Sequence, residues 1–157
     1  MAGGQRAADG SGDTAAGGFD LAAGRRLLAE AFAPWVRELG LSLEAVDAGA
    51  GGEPGAVLRM AFSERLCREG GVVCGQAMMA LADTAMVLAV SAASGRYRPM
   101  ATVDQTTHFL KPVANADVLA DARIVRLGRS MAFGRVTLRS AAADKPVAVV
   151  TSAYALL

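Results

Sequence analysis

The chain has 157 residues, and its 53% hydrophobic content predicts one domain with a substantial core. The 16 basic and 15 acidic residues give a net charge of +1, so no overall field would attract nucleic acid or an anionic membrane. An anionic ligand would have to be bound by a local cluster of charges.

The N-terminal segment, MAGGQRAADGSGDTAAGG, is rich in glycine, alanine and aspartate and lacks the apolar stretch of a secretory signal. We predict a disordered tail over residues 1–18 and one domain over residues 19–157. Cys67 and Cys74 lie close together in a chain with no export signal, which favours reduced thiols in the cytoplasm over a disulfide. With His108 as the only histidine, we expect no metal site and no cofactor.

The first part of the domain is predicted to contain one helix and two strands. Residues 19–39 carry apolar side chains at helical spacing and predict an amphipathic helix, kinked or broken at Pro34. Gly40 ends that helix, and residues 41–49 alternate as a strand up to the turn sequence GAGGEPG. A second strand follows in AVLRMAF, residues 56–62.

The last third of the chain is predicted to be all strand. Residues 101–112, ATVDQTTHFLKP, alternate, and we expect Val103 and Phe109 to face the core. Residues 117–127 and 131–141 are joined by GRS, which is typical of a hairpin, and residues 145–157 form the final strand. This order favours an α+β fold, with one antiparallel sheet wrapped around one helix.

That helix is predicted in residues 72–93, which are apolar nearly throughout but have the carboxylate of Asp83 at their centre. The segment is long enough to cross a bilayer, but its internal polar residues and the amphipathic strands on both sides favour a buried helix. One side would face the sheet with Leu81, Ala85, Leu88 and Ala92, and the other would carry Gln76, Met79, Ala80, Asp83, Val87 and Val90. So short a chain can hardly cover the second side, so we expect a second copy of the protein there, with Asp83 at the subunit interface.

Three stretches, GGVVCGQAMMALADTAM, TVDQTTHFLKPV and VRLGRS, resemble in combination the hotdog-fold acyl-CoA thioesterases of the phenylacetyl-CoA thioesterase type. In those enzymes a glycine turn leads into an apolar helix with Leu-Ala-Asp, a Thr-led strand ends in Phe-Leu-x-Pro, and a Gly-Arg hairpin follows. The resemblance spans residues 35–157. It implies a hotdog fold, an antiparallel sheet around one long central helix, and hydrolysis of acyl-CoA thioesters to free acid and CoA.

The resemblance implies that Asp83 is the general base or nucleophile and that the backbone N–H of Gly75 holds the oxyanion. An apolar interface makes a carboxylate more basic when substrate excludes water, and a helix N-terminus offers free donors. Asp83 as a structural hydrogen-bond partner, and Gly75 as an ordinary turn residue, remain alternatives. Eight residues separate the two, about 12 Å along a helix, so we expect a site composed of Gly75 from one chain and Asp83 from the other.

The chain departs from the family pattern at three positions near the turn. Cys74 stands where these enzymes usually have His, Gln76 replaces a second glycine, and Arg68 replaces an Asn or Gln. We predict that Arg68, Cys74 and Gln76 contact substrate, and that Thr84 orients Asp83. A Cys74 nucleophile with His108 as base is a weaker hypothesis, because nothing in the sequence brings the two together.

Arginines crowd the predicted hairpin, at positions 123, 126, 129, 135 and 139. Guanidinium groups bind phosphate well, so Gly128, Arg129 and Ser130 are predicted to contact the nucleotide or the pantetheine of CoA. A solvated sheet face, without ligand, would show the same alternation of arginines.

Two further functions stay open. One is a hotdog protein that binds acyl-CoA without hydrolysing it, which the absence of the usual His favours; the other is a hydratase or dehydratase, which would normally need an Asp and a His on the central helix. The expected partners are an acyl-CoA substrate and further copies of the chain, as a homodimer or homotetramer, with no nucleic acid and no membrane. An apolar pocket of Met79, Met86, Val87 and Val90 would fit aryl-acetyl, medium-chain and branched acyl groups equally.

Overall fold

The computed structural model of the chain describes residues 18–143 and 145–157, so residues 1–17 of the predicted tail lie outside the described residues. The 3-10 turn Glu64–Leu66 lies directly before Cys67. The helices and strands are α1 Leu21–Glu30, α2 Pro34–Arg37, β1 Leu41–Asp47, β2 Gly55–Met60, β3 Cys67–Arg68, β4 Val72–Val73, α3 Gly75–Ser94, β5 Met100–Phe109, β6 Val118–Leu127, β7 Met131–Ser140 and β8 Pro146–Leu156.

The predicted N-terminal helix is two helices. Asp20 begins α1 by accepting a hydrogen bond from the N–H of Ala23 at 2.7 Å. Pro34 is the first residue of α2, where its missing N–H costs nothing, so the proline starts a helix instead of kinking one.

Six strands form one antiparallel sheet in the order β1-β2-β6-β7-β8-β5. The predicted hairpin between residues 117–127 and 131–141 is confirmed as β6 and β7. A separate two-stranded ribbon, β3 and β4, was not predicted, because two-residue strands leave no periodic signal. The sheet wraps around α3, which is the hotdog fold that the sequence predicts, and it leaves β1 and β5 at its edges.

The core lies between α3 and the concave face of the sheet. Leu81, Ala85 and Leu88 of the helix are fully buried there. Gly134 of β7 lets the helix approach closely, because a Cβ at that position would lie 2.5 Å from Cε of Met86. By length and hydropathy α3 could span a membrane, but 67% of its most apolar window is buried inside the fold, as in the core helix of a globular domain.

One stripe of α3 is left without full cover by its own chain. Gln76 and Met79 are exposed, and Ala80, Asp83 and Val87 are half-buried. The prediction that Val90 belongs to this stripe was wrong. Five consecutive residues, Leu88 to Ala92, are buried, so the fold surrounds the C-terminal part of the helix on all sides.

A β-bulge in β5 changes the expected alternation of that strand. The register against β8 shifts between Thr102 and Asp104, which moves Thr102 to the helix side of the sheet, away from the face of His108. Val103 is unpaired at the bulge and 60% exposed, so the expectation that it faces the core was wrong. Phe109 does lie on the helix side of β5, with its ring against Gly75, although it is 50% exposed. Because β5 is an edge strand, its side chains extend beyond the area that α3 covers.

Candidate functional site

Asp83 lies in the middle of α3 and is held by two hydroxyl groups from the sheet. Thr102 of β5 donates to Oδ1 of Asp83 at 2.9 Å, and the phenol of Tyr154 in β8 donates to the same oxygen. No described residue donates a hydrogen bond to Oδ2, and no described Lys or Arg forms an ion pair with this carboxylate. Asp83 therefore lies at a half-buried surface, with Oδ1 hydrogen-bonded and Oδ2 without a donor from any described residue.

Tyr154 was not predicted as a site residue, although its side chain is fully buried beneath α3. Its hydroxyl also lies 3.1 Å from the backbone oxygen of Asp83. Burial raises the pKa of the Tyr154 phenol far above its usual range, and the negative charge of Asp83 together with the hydrogen bond to it raises this pKa further. The phenol is therefore protonated throughout the physiological range and serves as a neutral donor.

The exposed stripe of α3 and the edge strand β5 lie side by side and run in opposite directions. At one end, a Cβ at Gly75 would lie 3.0 Å from the ring of Phe109. In the middle, Gln105 Nε2 donates to the backbone oxygen of Met79 at 3.2 Å. At the other end, Thr102 bonds Asp83. We call this strip of surface, with the α3 stripe on one side and β5 on the other, the α3–β5 trough.

Buried polar atoms without a partner concentrate in the α3–β5 trough. Gln105 Oε1, Thr107 Oγ1 and Ser152 Oγ are buried and lack a hydrogen-bond partner within the described part of the chain. Gln105 pairs with Ser152 across β5 and β8, directly beside the pair Thr102 and Tyr154. Since buried polar groups are normally bonded, the trough is a surface that a ligand or a second chain would complete.

Two of the residues predicted around the glycine turn, Arg68 and Gly75, line one cleft, whereas Cys74 and Gln76 do not line it. A cleft of about 400 Å³ at the N-terminus of α3 is lined by Arg68, Gly75 and Phe109, and also by Lys111. Cys74 caps the helix by its backbone only, and its side chain makes no capping hydrogen bond. Gln76, the second residue of α3, is exposed.

The predicted hairpin residues lie at the opposite end of the α3–β5 trough, near Asp83. Tyr154 pairs with Thr102 on one side and with Ala132 on the other, and the next contact along β8 is the N–H of Leu156 to Ser130 O at 2.9 Å. Gly128 closes the turn by donating to the backbone oxygen of Met131 at 2.7 Å. Within one chain, then, the hairpin tip lies along β8 from Tyr154, the hydrogen-bond partner of Asp83, whereas the cleft around Gly75 lies at the other end of the α3–β5 trough.

Two predicted roles do not fit these positions. Thr84 is only 3% exposed and points into the core, and the hydroxyl that bonds Asp83 is that of Thr102 instead. His108 is on the face of β5 opposite Phe109, the residue that contacts Gly75, so it is not directed at Cys74. The two cysteines are free.

Some of the hairpin arginines are already neutralised by carboxylates. Arg123 pairs with Asp47 at 3.0 Å and with Asp121 at 2.7 Å, and Arg135 pairs with Glu53 at 2.7 Å. The N–H of Gly49 and the Arg123 guanidinium hold the pKa of Asp47 below its usual value. These two arginines are therefore poor candidates for phosphate binding. At the hairpin tip, by contrast, Arg98 Nη2 donates to the backbone oxygen of Arg129 at 3.2 Å, which brings two guanidinium-bearing residues together.

Comparison with known proteins agrees with this fold. The family model "Thioesterase superfamily" matches residues 70–146. A solved structure of a proposed thioesterase from Silicibacter sp. is 31% identical, covers 88% of this chain and 92% of its own, and superposes with a TM-score of 0.76. The chain belongs to the thioesterase superfamily. The family match includes Gly75, Asp83 and the hairpin tip, whereas Arg68 and Tyr154 lie outside it.

Two other relatives of this thioesterase-superfamily protein have known structures. A variant of the phenylacetic acid degradation protein PaaI from Thermus thermophilus is 28% identical, covers 80% of this chain and all of its own, and has a TM-score of 0.68. Zebrafish thioesterase superfamily member 2, at 22% identity and a TM-score of 0.75 over 88% of this chain and 99% of its own, shares the fold. No curated protein sequence matches the chain.

Proposed function

We propose that the protein hydrolyses acyl-CoA thioesters in the cytoplasm, with Asp83 as general base, at a site formed by two copies of the chain. The observation that carries the proposal is the carboxylate of Asp83, held on one oxygen and free on the other, in an open trough of a thioesterase-superfamily fold. A helix-borne carboxylate without an ion-pair partner among the described residues can take a proton from water.

The geometry of the trough supports a twofold-symmetric dimer. β5 is an edge strand of the sheet, so one of its sides is unpaired. It contacts the exposed stripe of α3 halfway along the trough, where Gln105 donates to Met79. A twofold axis at that level would pair β5 with β5 and set the two α3 helices antiparallel. Residues four positions before and four after Met79 would then face each other, which places Gly75 of the partner subunit opposite Asp83.

Such a composite site would carry out hydrolysis in two steps. Asp83 Oδ2 takes a proton from a water molecule, whose oxygen attacks the thioester carbon, while the N–H of Gly75 of the partner subunit donates to the carbonyl oxygen as its negative charge develops. The tetrahedral intermediate then collapses with cleavage of the C–S bond. The thiol leaves with the proton held by Asp83, and the free acid is released.

The positive charge of the hairpin tip supports CoA as the thiol carrier. Arg98 and Arg129 meet at this tip, and no carboxylate within the described residues forms an ion pair with either of them. The tip lies along β8 from Tyr154, the partner of Asp83, so a thiol carrier that extended along β8 from a thioester at Asp83 would reach these arginines. Phosphate groups there would form charge-assisted hydrogen bonds with the two guanidinium groups.

The substitution Arg98→Met should affect substrates that carry the phosphates of CoA and leave substrates with shorter thiol carriers unaffected. We expect Arg98→Met to raise the KM for an acyl-CoA about 3- to 10-fold, in the range of a partly exposed charge-assisted contact, and to leave the KM for the matching acyl-pantetheine unchanged. Arg139→Met removes the same charge at the far end of β7 and serves as the control. An equal rise for both substrates would instead assign Arg98 a structural role at the hairpin.

The test of the function itself is thiol release from a panel of acyl-CoA esters, followed with a colorimetric thiol reagent. We expect saturable turnover of at least one aryl-acetyl, medium-chain or branched acyl-CoA by the wild-type protein. Isothermal titration with the same esters, or with a nonhydrolysable thioether analogue, measures binding separately from hydrolysis.

A protein that binds acyl-CoA without hydrolysing it is the second candidate. Cys74, whose side chain makes no capping hydrogen bond, stands where the enzymes that the sequence resembles usually have His, so the carbonyl oxygen would lack one donor. Saturable binding with no thiol release by the wild type would favour this function over hydrolysis.

A further inference from the structure

We infer that Tyr154 is a positioning residue for Asp83, and that its hydrogen bond makes Oδ2 the reacting oxygen of that carboxylate; the inference rests on the proposed hydrolytic function. Tyr154 is fully buried, and its hydroxyl donates to Asp83 Oδ1. Its side chain is 0% exposed, so no part of the ring reaches the surface of the open trough. Tyr154 therefore acts on the reaction through Asp83 and does not touch the substrate.

The buried phenol limits the rotation of the Asp83 side chain. Thr102 approaches the same oxygen from the edge strand, where it is more exposed than Tyr154. Two donors on Oδ1 hold the carboxylate plane and leave the lone pairs of Oδ2 without a donor from any described residue. Water that occupies the trough would therefore meet an oriented base, and the carboxylate would lose little rotational freedom when substrate binds.

The phenol stays a neutral donor to the carboxylate. Burial raises the pKa of the Tyr154 phenol far above its usual range, so this group does not become an anion at physiological pH. The hydrogen bond to Asp83 Oδ1 is therefore present throughout the range in which the protein would act.

Tyr154→Phe removes the hydroxyl and keeps the buried ring. We expect kcat to fall roughly 10-fold with KM within about twofold of wild type, because the base is less well oriented while the contacts to substrate are unchanged. The matched control is Tyr97→Phe, since Tyr97 is the other tyrosine of the chain and is 46% exposed. We expect Tyr97→Phe to behave as wild type.

Thermal unfolding of both variants separates positioning from stability. If Tyr154→Phe turns over acyl-CoA as fast as wild type, the inference is overturned and the proposed function stands. If its kcat falls only in proportion to the unfolded fraction, the role is structural and the inference is likewise overturned. If the wild type releases no thiol at all, the proposed function fails first, and the inference fails with it.

Discussion

Asp83→Asn is expected to lower kcat/KM for acyl-CoA by a factor of about 10² to 10⁴, the range that loss of a general base produces. The amide has nearly the shape of the carboxylate and can still accept from Thr102 and Tyr154 through its oxygen, so the fold and the oligomer should persist. The amide cannot take a proton from water, however. Thiol release by the wild-type protein and by the variant measures the effect, and light scattering checks the oligomeric state of each.

The control for this variant is Asp104→Asn, because Asp104 is an exposed carboxylate on the same strand as Thr102 but on the opposite face of the sheet. It removes the same charge from a residue that pairs with Ala153, next to Tyr154. We expect it to leave kcat/KM within about twofold of wild type, as for most exposed surface substitutions. If Asp83→Asn retained wild-type turnover with the oligomer intact, Asp83 would not be the base, and the two hydroxyl contacts would be structural.

The fold could be predicted from the sequence because its strongest signals are long and periodic. Residues 72–93 are too apolar for a surface helix, and the strands after them alternate and are separated by clear turn residues. Motifs with fixed spacing then identified the hotdog fold. The helix begins at Gly75 instead of residue 72, because residues 72–73 pair with β3 as a short strand.

The contacts of Asp83 could not be predicted in the same way, because they join segments that are distant in sequence. Tyr154 lies 71 positions from Asp83, and nothing in KPVAVVTSAYALL distinguishes it from an ordinary core residue of a strand. The position of Thr102 on the helix side of β5 could not be predicted, because a β-bulge inserts one extra residue, which alternation alone does not reveal. Thr84 adjoins Asp83 in the sequence, but consecutive helical residues point about 100° apart, so it faces the core.

The proposal that the site is shared between subunits leads to the second large expected effect. Gly75→Pro removes the backbone N–H proposed to hold the oxyanion, and proline is well tolerated at the first position of a helix. Cys74, the preceding residue, already has an extended conformation that suits a following proline, at φ −71° and ψ 148°. We expect kcat to fall by a factor of about 10² to 10³, as for the loss of one oxyanion donor.

The matched control is Gly75→Ala, which keeps the N–H but adds the same Cβ, 3.0 Å from the ring of Phe109. We expect this alanine variant to retain most of the activity after a small shift of the ring. Equal losses in the proline and alanine variants would mean that crowding against Phe109, and not the missing donor, causes the effect.

Heterodimers of Asp83→Asn and Gly75→Pro subunits decide whether two chains build one site. In a shared site, one of the two sites of each heterodimer contains both substitutions and the other contains neither, so purified heterodimers should recover about half of the wild-type activity per dimer. If each site came from a single chain, every site would carry one substitution, and heterodimers would be as inactive as the parents. Differently tagged subunits, co-expressed and purified through both tags, provide the sample. Recovered activity would also fix the register of the dimer, because only antiparallel α3 helices bring residues 75 and 83 together across the interface.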